Sequence, residues 1–272
     1  MKTISILGCG WLGLPLAKRL IDKSYNIKGS TRSFGQLSLL GASGIEPYYI
    51  SLNPYMIGRN IRDFLNSDML IINFPPERRD DIVTYHEAQI KSLIRELWLS
   101  PVQNVIFVSS TSVYPDLNRR VSEEDSVSPD KTSGKALLSV EQILQAEERF
   151  KTTVLRFGGL IGYDRKPGRF LSGRKGLAGG DSPVNLIHRD DCIEIIQKII
   201  EKGVWGETFN ACADMHPKRK DYYSRQAAVG GFDPPSFKNG GNSGYKIVSS
   251  DKLKSRLGYE FKYPDPASIK ES

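Results

Sequence analysis

Apolar runs of strand length alternate with segments of helical period through residues 1–160 of the chain. Residues 3–7 read as a short buried strand that runs into Gly8, Cys9 and Gly10. An amphipathic segment follows, with Leu16, Leu20 and Ile21 on one face. Residues 25–31 and 48–52 read as the second and third strands. The stretch 68–74 is a nearly continuous apolar run, of the kind buried on both faces of a parallel sheet, and it stops at Pro75-Pro76. Positions 82, 86, 90, 93 and 97 have helical spacing and are apolar except for His86, whose place on that stripe marks it as a core histidine. A further buried strand at 105–108 leads into Ser109-Ser110. Residues 132–150 are helical with Leu137, Val140 and Leu144 on one stripe, and 153–157 form a sixth strand. Such alternation predicts an α/β fold with a doubly wound parallel sheet.

The pattern changes after residue 157. Residues 158–186 are glycine-rich with little periodicity. A helix is predicted over 189–202, with Ile193, Ile196 and Ile200 inside and Gly203 at its end. Then come a strand at 207–211, a charged helix from about 217, a Pro/Gly-rich stretch at 230–244, and a small terminal strand and helix. The expected organisation is a dinucleotide-binding Rossmann domain over 1–162, completed by about 188–212. A smaller C-terminal substrate lobe would comprise 163–187 and 213–272.

The first strand–turn–helix carries the chemistry. In Gly8-Cys9-Gly10-Trp11-Leu12-Gly13, the first glycine permits a tight turn and the second lets the backbone approach a pyrophosphate. The third lets the helix pack against the strand. The helix start, predicted near Trp11, presents unpaired N–H groups and roughly half a positive charge to the loop. An NAD-selecting site places Asp or Glu at the end of the second strand to hold the ribose hydroxyls. Here that strand ends Ser30-Thr31-Arg32, with no carboxylate. Arg32 can pair bidentately with a 2′-phosphate and Ser30, Thr31 and Ser33 can donate to its other oxygens, so NADP(H) is expected in preference to NAD(H); the alternative is that Arg32 only starts the next surface loop. Phe74, Pro75 and Ser109, at the ends of later strands, are further candidate cofactor contacts.

Composition narrows the remaining classes. The 272 residues are 39% hydrophobic and 25% charged, which suits a soluble globular chain. No apolar run has membrane-spanning length, and the chain reaches its first strand within three residues, so the cytoplasm is the expected location. Cys9, Cys192 and Cys212 are odd in number and widely spaced, which argues against a disulfide framework or a metal site. Net charge is +7, but the basic residues are scattered, so a nucleic-acid partner is not expected. Arg169 and Arg174 stand in a glycine-rich loop, where two guanidiniums can clamp a phosphate or carboxylate of a small substrate; a basic surface loop is the equal alternative.

With the segment Val108-Ser109-Ser110-Thr111-Ser112-Val113-Tyr114, the chain resembles the extended short-chain dehydrogenase/reductases, the family of NAD-dependent epimerases and dehydratases. Leu155-Arg156-Phe157-Gly158-Gly159-Leu160-Ile161-Gly162 is similar to the family's sixth strand and turn, and Ile187-His188-Arg189-Asp190-Asp191 to its His-Val-Asp-Asp segment. The resemblance implies a seven-stranded parallel sheet, a C-terminal substrate lobe, and catalysis by a Ser/Thr, a Tyr and a Lys. It assigns the Ser/Thr role to Ser110 and the Lys role to Lys135. The family's tyrosine position holds Lys131, and no tyrosine in the chain has a lysine four residues later. Tyr114 is the candidate replacement as proton donor, and His188 a candidate substrate-positioning residue. The expected function is that of an NADP(H)-dependent oxidoreductase or epimerase acting on a small anionic or sugar-like substrate. The alternative is a non-catalytic NADP(H)-binding redox sensor. Helices 82–98 and 132–149 are a possible homodimer seam, although the sheet accounts equally well for their apolar stripes.

Overall fold

The computed structural model describes residues 1–125, 127–238 and 244–269. Residues 239–243 of the Pro/Gly-rich stretch lie outside the described residues. The chain opens with β1 (Thr3–Leu7), α1 (Gly13–Ile21), β2 (Asn26–Thr31), α2 (Phe34–Ala42), β3 (Glu46–Leu52) and β4 (Met56–Gly58). It continues through α3 (Ile61–Phe64), β5 (Met69–Ile72), α4 (Ile82–Leu97), β6 (Asn104–Ser110), β7 (Arg119–Val121), α5 (Thr132–Gln145) and β8 (Lys151–Phe157). The last elements are β9 (Gly159–Ile161), β10 (Leu186–His188), α6 (Arg189–Lys202), β11 (Thr208–Ala211), α7 (Arg219–Val229), β12 (Lys246–Val248) and α8 (Asp251–Leu257).

Eight strands form the central sheet in the order β11-β8-β6-β5-β1-β2-β3-β4. The β1–β2, β1–β5, β2–β3 and β5–β6 pairs are parallel, as the apolar runs require. β5 is buried along its whole length, so both of its faces are covered. The sheet exceeds the seven strands implied by the family resemblance because Leu52 turns back through a hairpin into β4, which pairs antiparallel to β3 at the edge. From β1 the chain winds outward through β2 and β3, then returns to place β5 and β6 on the other side. The carboxyl ends of β1 and β5 therefore bound the crevice where an open α/β sheet reverses direction.

The chain falls into two compact units. Unit 1 comprises Met1–Val113, Ser128–Arg156 and Ile196–Thr208, and unit 2 comprises Tyr114–Val127, Phe157–Ile195 and Phe209–Ser272. Relative to the expected boundaries, the segment from Tyr114 to Val127 joins unit 2, as do residues 157–162, 188–195 and 209–212. There β7 pairs in parallel with β12. Also in unit 2, β9 pairs in parallel with β10, and Ile161, Val184, Leu186 and Tyr222 form a small core. Among the described residues no helix is long and apolar enough to cross a membrane.

Burial of the histidines makes stability depend on pH just below neutrality. Desolvation pushes His86, His188 and His216, the chain's three histidines, below their ordinary value, and at His188 the nearby Asp190 only partly opposes it. The unfolded chain binds protons near pH ~6.5 that the folded chain refuses. Stability from these groups is therefore fully present above that value and lost as pH falls through it. Urea unfolding should show a lower midpoint at about pH 5.5 than at about pH 7.5, with net proton uptake on unfolding. A midpoint that stays level would contradict the burial of these rings.

Candidate functional site

At the end of β1 the backbone makes a turn that only glycine permits. Gly8 has φ of +109°, and a Cβ there would stand 2.4 Å from the Asn73 carbonyl oxygen. A Cβ on Gly13 would stand 2.2 Å from the Gly8 oxygen, so the first turn of α1 sits directly on the strand end. Gly10 differs: a Cβ there meets nothing within 4 Å, and its backbone borders open space. Three contacts brace the turn. Gly8 N–H donates to Ser30 Oγ at 3.1 Å, Cys9 N–H to the Ser30 carbonyl at 2.8 Å, and Asn73 Nδ2 to the Gly8 oxygen at 3.0 Å. Trp11 and Leu12 lead into α1, which begins at Gly13, two residues beyond the predicted start. The helix carries no acid in its first turn and Lys18 and Arg19 in its last, so its amino end remains electropositive toward the turn.

The turn opens on a cavity of about 610 Å³ whose lining includes Gly8, Gly10, Ser30, Arg32, Phe74 and Pro75. These are sequence-expected cofactor contacts, and Thr31 lines it as well. Asn73, Gln36, Glu77, Arg78 and Gln89 also line it and were not foreseen. Asn73 carries a readable signal, since it is the polar residue that ends an otherwise apolar strand. The others arrive from α2, from the loop after Pro76 and from α4.

The cavity's far end differs from expectation in one respect. Ser30 Oγ accepts the Gly8 N–H and keeps its O–H to donate, whereas Thr31 Oγ1 donates to Gln36 Oε1 at 2.9 Å while accepting the Ser33 N–H at 3.1 Å. Both hydroxyls shape the loop. Arg32, with its side chain 70% exposed, reaches across to Glu77, Nη1 to Oε1 at 2.7 Å. An exposed pair of this kind contributes about 0–1 kcal/mol, so an anion can displace the carboxylate at little cost.

Cys9 sits inside the turn with its thiol buried. Desolvation pushes it up to about 12, and Cys192 and Cys212 are raised by burial in the same way. Thiol reagents at about pH 8 should therefore leave the native protein unlabelled and modify all three cysteines in denaturant. Rapid labelling of one equivalent in the native state would mean that the turn is open.

Ser109 and Ser110, adjacent at the end of β6, have different duties. Ser109 Oγ donates to Glu141 Oε1, within a buried pair between Glu141 and Arg156. This corrects the expectation that Ser109 faces a cofactor: its hydroxyl is committed to the core. Ser110 Oγ accepts the Ser112 N–H at 3.2 Å. The turn after Ser110 packs on the start of α5, where a Cβ on Gly134 would lie 2.3 Å from the Ser112 oxygen. Lys135, one residue further along α5, is exposed. Lys131 is the N-cap of α5, also exposed, and its carbonyl accepts the Lys135 N–H at 3.0 Å. The residue that replaces the family's tyrosine thus points to water at the helix start.

The remaining candidates belong to unit 2. Tyr114 is 1% exposed and donates its hydroxyl to Asn210 Oδ1 at 3.0 Å. That differs from its expected role as proton donor, because the buried phenol is already spent on an internal amide. Arg169 and Arg174 are exposed in the glycine-rich loop. His188 is buried between the rings of Tyr163 and Tyr263, and its Nδ1 accepts the Asp190 N–H at 3.2 Å, fixing the start of α6. It lines a second, smaller cavity together with Tyr222 and Gln226, residues without a distinctive sequence signal.

No known protein-family model matches the chain. It is 32% identical to protein YeeZ of Escherichia coli (strain K12) over 269 residues, 98% of each chain. A short-chain dehydrogenase/reductase superfamily protein from Agrobacterium tumefaciens, solved with bound NAD, superposes with a TM-score of 0.76 and 18% identity, covering 96% of this chain and 92% of that one. UDP-glucuronic acid 4-epimerase from Bacillus cereus, solved in complex with NAD, gives a TM-score of 0.79 and 19% identity over 96% and 94%.

Proposed function

This chain belongs to the family of protein YeeZ and carries the short-chain dehydrogenase/reductase fold, and we propose that it is an NADP(H)-dependent oxidoreductase or epimerase acting on a small anionic or sugar-like substrate. The observation that carries this reading is the glycine turn at the sheet's point of reversal. Two of its glycines are required by backbone contact and the third faces the cavity. The NAD bound by structural neighbours, one of them a UDP-sugar epimerase, supports the same class of cofactor.

The residues present fit a nicotinamide dinucleotide. Gly8, Gly10 and Gly13 with the amino end of α1 would hold the pyrophosphate. Arg32 would exchange Glu77 for a 2′-phosphate, the ground for preferring NADP(H). Bound nicotinamide would supply hydride transfer to or from a substrate carbon. Ser110, whose oxygen already accepts from Ser112, keeps its O–H to donate to the reacting oxygen. Lys135 brings an ammonium with three donors to the first turn of α5, suited to a ribose hydroxyl or to the developing charge on that oxygen.

Calorimetric titration tests the cofactor choice. NADPH should bind more tightly than NADH. Arg32→Asp should cost about 10–100-fold in NADPH affinity, the worth of a charge-assisted contact, while leaving NADH nearly unchanged. Equal affinities, or an indifferent variant, would overturn the NADP(H) preference, and no heat from any nicotinamide nucleotide would overturn the whole reading. The exposed Lys131 and the buried Tyr114 favour one second reading, a non-catalytic sensor of the NADPH/NADP⁺ ratio. Tight NADPH binding, a different affinity for NADP⁺ and no oxidation of NADPH across a carbonyl panel would select it.

A further inference from the structure

Unit 2 contains a cavity of about 220 Å³, below the roughly 300–1,000 Å³ of pockets that hold drug-sized ligands. Its walls are aromatic. The His188 ring stands 3.9 Å from the Tyr263 ring centroid and 5.5 Å from that of Tyr163. These walls are anchored from behind, since the Tyr163 hydroxyl donates to both Asp190 oxygens, at 3.0 and 3.1 Å, and the Tyr263 hydroxyl reaches Asp190 at 3.4 Å. Tyr163 itself adopts φ of +57°, a left-handed conformation unusual for a side chain of this size. Gly162 before it has φ of +121°, and a Cβ there would press 2.5 Å from His188 Nε2, so the backbone closes tightly on the imidazole.

Two further features say what the space suits. Gln226 is 2% exposed and lines the cavity, and its Oε1 is buried with no hydrogen-bond partner among the described residues. A buried acceptor left bare is costly and calls for a donor. Arg165 and Lys166 also line the cavity, and among the described residues its lining contains no carboxylate. The combination is a hydrogen-bond acceptor, positive charge and flat apolar faces.

We propose that this cavity is a binding site for a small hydroxy-carboxylate, whose hydroxyl donates to Gln226 Oε1, whose carboxylate meets Lys166 and Arg165, and whose carbon skeleton lies against the Tyr163, His188 and Tyr263 rings. The site goes beyond the nucleotide reading and uses none of its residues. The shared chemistry is a hydroxyl and a carboxylate on a compact skeleton, whether a sugar acid or an aromatic hydroxy acid.

The test titrates D-glucuronate, 3-hydroxybenzoate and D-glucose into the full chain without nucleotide, followed by calorimetry and by saturation-transfer NMR. At least one of the two hydroxy-carboxylates should bind at millimolar concentration or better, and the one that binds more tightly identifies the skeleton. Glucose, lacking the carboxylate, should bind about tenfold more weakly than the better of the two. Gln226→Leu and Lys166→Gln should each weaken binding about tenfold. Should Gln226→Leu fail to fold, Lys166→Gln at the half-buried rim carries the comparison alone. Absence of binding by either hydroxy-carboxylate at millimolar concentration would overturn the proposal. So would glucose binding as tightly as the better acid, or wild-type affinity in the variants that fold. NADPH binding, read on the same samples by the nucleotide's own fluorescence, registers separately whether the dinucleotide reading stands.

Discussion

Glu141→Ala is expected to destabilise unit 1 by about 3–5 kcal/mol, the usual consequence of stripping one partner from a buried ion pair. Glu141 is 1% exposed and sits on the inner stripe of α5, where it meets Arg156 of β8. Arg156 Nη2 donates to Glu141 Oε2 at 2.6 Å and Nε to the same carboxylate at 3.1 and 3.2 Å, while Ser109 Oγ donates to Oε1. Alanine would leave the Arg156 charge in the core without its carboxylate and the Ser109 hydroxyl without its acceptor. Urea unfolding monitored by circular dichroism measures the loss. Replacing both charges together, Glu141→Leu with Arg156→Met, should restore most of the stability, because neither desolvated charge remains. A loss below about 1 kcal/mol for Glu141→Ala would mean that water reaches the pair. The network also bears on the candidate site, since it fixes the residue just before Ser110.

This network shows where sequence reading stops. The stripe Leu137, Val140, Leu144 announces α5, and Glu141 lies on it as a polar intruder. Nothing in the periodicity says that Arg156, on a separate strand, supplies the compensating charge, so Ser109 was assigned to a cofactor. The same limit hid Tyr114: its position after the strand was legible, but the Asn210 amide that takes its hydroxyl is 96 residues away. Elements with a strong period were recovered closely. α6 spans Arg189–Lys202 as expected, and α4 differs from the predicted 82–98 by one residue. α2 was missed because only Leu40 of its nine residues is buried, which leaves no 3.6-residue signal to find. α5 ends at Gln145 rather than at residue 150, since the chain must turn before entering β8 at Lys151. The glycine turn was legible because its constraint is local: a few consecutive residues must adopt backbone geometry that side chains forbid.

That locality gives the sharpest test of the turn, a contrast between two of its glycines. Gly8→Ala should destabilise the protein by about 2–4 kcal/mol, combining an unfavourable positive φ with overpacking against backbone. The Asn73 oxygen that the new methyl would meet at 2.4 Å belongs to the chain leaving β5 and has no side-chain freedom to yield. Gly10→Ala should unfold within about 0.5 kcal/mol of the wild type, as substitutions away from packed contacts do, since its φ is not positive and the methyl enters open space. The same methyl would occupy the approach of a pyrophosphate to the backbone, so NADPH affinity should fall by about tenfold or more in a protein of undiminished stability. Thermal melts with and without NADPH separate the two effects: Gly8→Ala lowers the baseline melt, and Gly10→Ala removes the shift that NADPH produces. If Gly10→Ala kept the full NADPH shift, the cavity beside the turn would not be where the linked phosphates bind, whatever the fold of the sheet behind it.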